Sequence, residues 1–173
     1  MIYSMSTHIP APQWLDAEEQ HAWREYLRAS RLLEAALDHD LQAQGLQLSE
    51  YEIISMLSEQ PDRRLRMSEI AELVVQSRSR LTHTAGRLEK RGWVRREACL
   101  GDRRGVELAL TDAGYAEISR MAATHVGSVR VNIVDHLSRE DFLTLGRAME
   151  AISRGIRSTG VCDEVRAAEE QPA

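Results

Sequence analysis

The chain of 173 residues has little cysteine, few aromatic residues and no long hydrophobic run. Its two cysteines, Cys99 and Cys162, lie far apart, and neither belongs to a CxxC pair. This argues against a disulfide scaffold and against a cysteine-based zinc site. No apolar stretch approaches the roughly 20 residues that span a bilayer, and residues 1–12 lack the cationic and apolar regions of a signal peptide. We therefore expect a cytoplasmic protein without membrane contact.

The chain also lacks the motifs that support catalysis or metal binding. It contains no nucleophile elbow, phosphate loop or paired-carboxylate constellation, so we expect neither catalytic residues nor a cofactor. His39, between Asp38 and Asp40, comes nearest to a metal-ligand cluster, but a solvated helix face is the simpler interpretation. Cys99 has cationic neighbours that would favour its thiolate and a redox role, but an incidental surface thiol is the preferred interpretation.

The cations of the chain are concentrated in one segment. The net charge of −5 would by itself argue against a nucleic-acid partner. Between Gln76 and Arg104, however, nine arginine and lysine residues stand against three acidic ones, so this segment carries +6 and the remainder −11. A basic segment within an acidic body is typical of a module that faces DNA.

The centre of the basic segment is a predicted helix over residues 77–91. At 100° per residue, Leu81, Ala85 and Leu88 share one face, which predicts that this face packs inward. Gly86 leaves a gap on the opposite face, where another surface could approach the backbone closely. The outer face mixes cations, which attract phosphates, with short polar groups that can reach base edges. It carries Ser79, His83, Gly86, Arg87 and Lys90, with Arg80 and Thr82 on its flanks.

The residues before this helix predict a helix-turn-helix. Ser49-Glu50-Tyr51-Glu52 has the pattern of a capping box and opens a short helix that ends at Pro61. A short extended piece at 65–67 follows, and Ser68 caps a compact helix that runs to Val74. A turn at 75–76 then leads into the basic helix. Two short helices joined in this way, the second of them basic, are typical of a DNA-binding helix-turn-helix.

The residues after the basic helix predict a β-hairpin wing. Gly92 ends the helix, and residues 93–97 and 106–110 have the composition and alternation of two strands. A charged turn at 100–105 joins them. Its tip, Asp102-Arg103-Arg104, would place guanidinium groups where a narrow minor groove attracts them.

Long helices are predicted at both ends of the chain. Asp16 and Glu19 cap the first, and apolar residues recur at helical spacing as far as Gly45. Such helices need more than one neighbour to bury their apolar faces, which a second subunit could supply. The predicted fold class is mainly α with a small β-hairpin wing (α+β). In this single domain, end helices at 14–45 and 112–157 flank a winged helix-turn-helix at 49–111, with flexible ends at 1–12 and 158–173.

Three fragments of the sequence resemble a known family when their order and spacing are taken together. They are Leu81-Thr82 with Leu88-Glu89-Lys90-Arg91-Gly92-Trp93-Val94-Arg95-Arg96, then Asp102-Arg103-Arg104, then Leu108-Ala109-Leu110-Thr111-Asp112-Ala113-Gly114. Each is weak alone, but their arrangement resembles the multiple-antibiotic-resistance regulator (MarR) family of bacterial transcription factors. The similarity in element order covers about residues 16–157.

The resemblance implies a homodimer with interlaced end helices that binds pseudo-palindromic duplex operators and is expected to act as a repressor. By position, the residues implied to face DNA are Ser77, Arg78, Ser79, Arg80, Thr82, His83 and Arg87 on the recognition helix, with Arg103 and Arg104 on the wing. Arg104 would enter the minor groove, and Asp102 would brace it through a charge-assisted hydrogen bond. The resemblance further implies release of DNA by a small, commonly aromatic or phenolic, anion.

Two questions stay open at this point. Trp23, Tyr26 and Ser30 lie one turn apart on the first helix, where they could offer an aromatic wall and a hydrogen bond to the effector, or could pack the core of the dimer. The alternative function is a winged-helix module for protein or RNA contacts without ligand response. The scarcity of aromatic residues among the cations argues against stacking on single strands.

Overall fold

The protein is mainly helical, with one small antiparallel sheet. A computed structural model describes residues 13–74, 77–99 and 102–159, except for the side chains of 102–104. In chain order the elements are α1 (Ala17–Gln42), α2 (Leu48–Ser58), β1 (Arg64–Arg66), α3 (Met67–Leu73), α4 (Arg78–Lys90), β2 (Val94–Cys99), β3 (Asp102–Leu110), α5 (Asp112–Asn132), a 3-10 turn (Val134–His136) and α6 (Arg139–Ser158). The predicted fold class, a winged helix-turn-helix with helical ends, is confirmed. The turn at 75–76 and most of the predicted flexible ends lie outside the described residues.

One hydrophobic core holds the helix-turn-helix, the sheet and part of α5 together. Leu81, Ala85 and Leu88 of α4 are each fully buried in it, which confirms the predicted inward face. Burying a leucine side chain contributes about 1.5–3 kcal/mol relative to leaving it in water, so this face fixes α4 firmly to the domain. The other large apolar side chains that are almost completely buried in this core are Leu41, Leu46, Ile53, Ile54, Leu57, Ile70, Leu108 and Met121.

The starts of α2 and α3 differ from the predicted ones. The capping box of α2 is formed by Gln47 and Glu50, not by Ser49 and Glu52. The backbone N–H of Leu48 donates to Asp38 Oδ1 of α1 at 2.8 Å, so a contact from α1 satisfies one of the free N–H groups at this helix start. Helix α3 begins after Arg66, so Ser68 lies inside the helix and does not cap it. Here the carboxylate of Glu69 accepts from the Arg66 backbone N–H at 2.9 Å.

The sheet has the strand order β1-β3-β2, with all pairs antiparallel. The short extended piece predicted at 65–67 is β1, and it pairs with β3 from Arg64 opposite Ala109 to Arg66 opposite Glu107. The wing hairpin is longer than predicted, because Cys99 pairs with Asp102 across an irregularity after Ala98. Residues 102–105, predicted as part of the turn, therefore belong to strand β3, whereas 100–101 lie outside the described residues.

The first turn of α5 packs directly against the residue that follows α4. Thr111 caps α5, since its side chain accepts from the Gly114 N–H at 3.0 Å, and its own hydroxyl donates to the Gly92 carbonyl at 2.7 Å. Gly114 has no space for a side chain: a Cβ there would lie 2.1 Å from the Trp93 carbonyl oxygen. The Leu-Thr-x-x-Gly motif thus fixes the start of α5 to the segment that follows α4.

A half-buried histidine lies where α5 packs on α2. The ring of His125 is tilted on that of Tyr51, with centroids 4.2 Å apart. Its Nδ1 is buried and has no hydrogen-bond partner among the described residues. Burial lowers the pKa of His125, because the charged imidazolium is desolvated there.

We expect His125 to make the protein less stable in mild acid. Below a pH of about 6.5 the histidine of the unfolded chain binds a proton that the folded state resists, so stability falls as the pH decreases through that value, by at most about 1.4 kcal/mol at one pH unit lower. Urea unfolding at about pH 7.5 and about pH 5.5 gives the free energy of unfolding on either side of this value. The loss of stability between the two should be smaller for His125→Phe than for the wild type. His39→Gln, at an exposed histidine, is the matched control. Equal pH dependence of the wild type and His125→Phe would contradict this role.

Candidate nucleic-acid interface

The outer face of α4 borders an open groove against the N-terminus of α2. Ser77 caps α4, since its hydroxyl accepts from the Arg80 N–H at 3.3 Å, so the helix starts where the sequence predicts. The groove has a volume of about 490 Å³ and combines hydroxyl, imidazole and guanidinium groups, which suit phosphates and base edges. It is lined by Gln47, Ser49, Ser77, Ser79, Arg80, His83, Thr84 and Arg87.

The structure brings together five of the seven α4 residues predicted to face DNA. Ser77, Ser79, Arg80, His83 and Arg87 line this one groove. Arg78 and Thr82 lie around the helix from it and line a second cleft of about 510 Å³ between α3, α4 and the wing. The two clefts flank α4 on either side.

The cations of α4 differ in how far they are already paired. The Arg80 side chain has no hydrogen-bond or ion-pair partner among the described residues, so its guanidinium is available to a phosphate. Arg87 instead pairs with Glu50 of α2, its Nε lying 2.9 Å from Oε1. Its terminal nitrogen also donates to Gln47 Oε1 at 2.8 Å. Arg91, at the end of α4, donates to the Gly45 carbonyl at 2.8 Å and lies over the Trp93 ring.

The wing side of α4 is fixed by Arg96 of β2. Its guanidinium donates to the Thr82 carbonyl at 2.9 Å and pairs with Glu89 at 3.4 Å. The gap predicted at Gly86 lies beside this arginine, because a Cβ on Gly86 would lie 3.9 Å from the Arg96 side chain. The glycine therefore borders an internal contact between α4 and the wing.

The tip of the wing is described only in its backbone. The backbone of Asp102, Arg103 and Arg104 is in β3, but their side chains lie outside the described residues, so the brace by Asp102 and the minor-groove role of Arg104 stay predictions. Cys99 is 6% exposed. The interpretation of it as a surface thiol is therefore wrong, because the end of β2 packs inward.

The three predicted effector residues lie together on α1. Trp23 and Tyr26 stack with centroids 5.8 Å apart and remain 48% and 43% exposed. The Ser30 hydroxyl donates to the Tyr26 carbonyl at 2.8 Å, so its proton is already used within the helix. Of these groups, the rings offer the larger surface to a ligand or to a second chain.

The acidic residues around His39 have structural partners. Asp38 accepts from Leu48 of α2, and Asp40 accepts from the Ser128 hydroxyl of α5. Within the ranges that the structure describes, no group of three histidine, cysteine or acidic side chains is placed to hold a metal ion. No helix in those ranges is both long enough and apolar enough to cross a membrane.

Sequence reasoning missed four residues of this interface: Gln47, Ser49, Glu50 and Arg96. The pattern Gln-x-x-Glu at 47–50 is itself a capping signal, and it could have placed the start of α2 correctly. Nothing local predicts that Glu50 contacts Arg87, 37 positions further along, or that Arg96 contacts the Thr82 carbonyl. Those contacts exist only once α2, α4 and β2 have packed.

A basic helix held against a short helix, with clefts on both sides and a β-hairpin beside it, defines a winged helix-turn-helix DNA-binding protein. Comparison with known proteins agrees. The MarR family model matches residues 44–105. The HTH-type transcriptional regulator PecS of Dickeya dadantii (strain 3937) is 34% identical over 128 residues, which cover 73% of this chain and 76% of PecS.

Two solved structures from Streptomyces coelicolor are also similar. Sco3205, a MarR family transcriptional regulator in complex with DNA, has a TM-score of 0.80 and 46% identity over 84% of this chain and 91% of that one. AbsC, of the same family, has a TM-score of 0.80 and 42% identity over 85% and 99% of the two chains. The protein belongs to the MarR family. It is a DNA-binding transcriptional regulator, not an enzyme.

Proposed function

We propose that the protein is a homodimeric repressor that binds pseudo-palindromic duplex DNA through α4 and the wing and that a small aromatic anion releases it. The observation that carries this proposal is the groove between α4 and α2, where the unpaired Arg80 lies beside His83 and three serines. Sco3205, which is 46% identical and was solved in complex with DNA, supports the DNA-binding part of this proposal. Since the protein regulates transcription from DNA, we further propose a cytoplasmic location.

Within this proposal, α4 lies in the major groove and the residues on its two sides divide the contacts. Arg80 donates to a phosphate, whereas Ser79 and His83 hydrogen-bond to base edges. Ser77, Arg78, Thr82 and Arg87 complete the helix contacts. Arg103 and Arg104 of the wing reach the adjacent minor groove, with Asp102 bracing Arg104.

The dimer is inferred from apolar helix faces that no other described part of the chain covers. None of the residues of α6 is buried, yet Phe142, Leu145, Met149, Ile152 and Ile156 recur on one face. Trp14, three residues before α1, is 83% exposed, and Val131 near the end of α5 is 66% exposed. Because isolated helices of this length are marginal in water, a second copy that covers these faces explains why they are ordered.

Operator geometry tests this function. Two recognition helices on a rigid dimer should meet half-sites roughly 10 base pairs apart, one turn of DNA. The test uses the duplex that the protein binds most tightly out of a randomised pool. Inserting five base pairs between its half-sites should lower the affinity about a hundredfold or more, because only one half-site can then bind. Adding five base pairs outside the half-sites is the control for length and should leave the affinity unchanged. Undiminished affinity after the five-base-pair insertion, or tighter binding of single-stranded RNA, would rule the proposal out.

The effector is proposed to bind against the rings of Trp23 and Tyr26 on α1. These stacked rings offer an apolar wall next to the helices that join the two copies, and such a wall suits a planar phenolic acid. A panel of phenolic acids should include compounds that raise the melting temperature and weaken operator binding, and Trp23→Ala should abolish both effects. If no compound shifts either quantity, the protein is a constitutive regulator and the rings serve only the dimer core.

A further inference from the structure

The recognition helix rests on a buried carboxylate. Glu50 of α2 is 1% exposed, and both of its oxygens are used. One accepts from the Gln47 backbone N–H at 3.0 Å, and the other accepts from Arg87 Nε at 2.9 Å. A buried carboxylate is strongly disfavoured unless it is paired and hydrogen-bonded, and Arg87 is the basic side chain that pairs with this one.

Arg87 is in turn held in one orientation. Its Nε binds Glu50, and one terminal nitrogen binds Gln47 Oε1, so the plane of the guanidinium is fixed against the N-terminus of α2. The side chain is nevertheless 45% exposed and lines the DNA-facing groove. Arg80, in the same groove, has no such partner in the described part of the chain. The groove therefore contains one free cation and one that is oriented and neutralised.

On the proposed DNA-binding function we base one further inference. We propose that Glu50 is a specificity-determining positioning residue, which acts on DNA through Arg87. Held by Glu50, Arg87 can donate only to a phosphate that lies at one place along α4, and hence only when the duplex is in the correct register. Released from Glu50, it becomes an ordinary flexible cation that follows any phosphate. Phosphate binding of that kind carries no sequence information.

A purely stabilising role does not account for this pair. Replacing a buried ion pair by apolar groups of similar volume is often neutral or stabilising, because desolvation offsets the attraction. The pair instead fixes the orientation of the Arg87 side chain in the groove. Two of its nitrogens donate to Glu50 and Gln47 at the start of α2, while the rest of the side chain is exposed. The same terminal nitrogen of Arg87 also donates a long hydrogen bond, of 3.5 Å, to Thr84 Oγ1.

The decisive variant is Glu50→Gln, which keeps the shape of the side chain and a carbonyl oxygen for Arg87. The probes are the tightest duplex that the wild type recovers from a randomised pool and a scrambled duplex of equal length and composition. We expect the ratio of the two affinities to fall about tenfold. We also expect the slope of log affinity against log salt to steepen by up to about 0.9, the value for one additional phosphate contact. The control is Glu117→Gln, which removes the same negative charge from a carboxylate paired with Arg120 on α5. It should change neither the affinity ratio nor the salt slope.

A second variant separates action through Arg87 from any other effect. In Glu50→Gln/Arg87→Met no charge is left buried, so this protein should fold, and the flexible cation is gone. Its salt slope should return to the wild-type value or below. A slope that stays as steep as in Glu50→Gln would overturn the inference, because Glu50 would then act by another route.

The outcomes also distinguish this inference from the function on which it rests. If the wild type does not prefer its selected duplex over the scrambled one, the proposed function fails. If the wild type discriminates but Glu50→Gln keeps the same affinity ratio and salt slope, only the role of Glu50 is overturned. That conclusion holds even if the variant melts at a lower temperature, since a merely structural role would lower stability without changing either quantity.

Discussion

Gly114→Ala is expected to destabilise the protein by about 3 kcal/mol or more. In most helices an alanine is better than a glycine by up to about 1 kcal/mol, so intrinsic propensity predicts a gain. Here the new methyl group would lie 2.1 Å from the Trp93 carbonyl oxygen and 2.7 Å from a Leu110 side-chain carbon. The methyl group of Leu110 can shift, but the Trp93 carbonyl belongs to the backbone and cannot move away without displacing the start of α5, so the clash outweighs the propensity.

Urea unfolding measures this effect, and Gly127→Ala on the same helix is the matched control. A Cβ at Gly127 meets nothing within 4 Å, so this variant should be as stable as the wild type or slightly more stable. Operator binding should also weaken in Gly114→Ala, since the α5 cap contacts the segment between α4 and β2. Equal stability of the two variants would show that α5 does not approach Trp93 this closely.

Ile152→Glu is expected to separate the two copies and to lower operator affinity about a hundredfold or more. The residue lies on the apolar face of α6 and is 49% exposed in the single chain. A carboxylate there would have to be buried in the dimer without a partner, which costs several kcal/mol. A monomer also loses the benefit of binding both half-sites at once.

Sedimentation or light scattering gives the oligomeric state, and binding to the selected duplex gives the affinity. Ala151→Glu adds the same group one residue earlier, toward the polar face of α6, and should leave both quantities unchanged. A dimeric Ile152→Glu protein with wild-type affinity would mean that α6 is not part of the interface.

Local signals in the sequence predicted most of the functional helix. The spacing of Leu81, Ala85 and Leu88 identified its buried face, and Ser77 was correctly placed at its start. These predictions succeeded because helical periodicity and capping depend on residues within one or two turns. The concentration of cations between 76 and 104 indicated DNA for a similar reason, since charge is counted without knowing the fold.

Predictions failed where a distant residue decided the outcome. The start of α2 shifted from Ser49 to Gln47, where Asp38 of α1 accepts from Leu48 and Glu50 turns inward to Arg87. The expected surface position of Cys99 was wrong because the end of β2 packs inward. The contact between Asp38 and Leu48 spans 10 positions and that between Glu50 and Arg87 spans 37, which is beyond the one or two turns over which helical patterns operate.

The sequence by itself determined which face of the basic helix is buried and in what order the wing follows, and it predicted that this helix meets DNA. Only the tertiary structure decided which cations of that helix are free. Arg80 makes no side-chain hydrogen bond or ion pair in the described part of the chain, whereas Arg87 is held by Glu50 of α2 and the wing side is fixed by Arg96 of β2. The physical reason is that ion pairing depends on distance in space, and residues 37 positions apart come within 2.9 Å only after the hydrophobic core has brought α2 and α4 together.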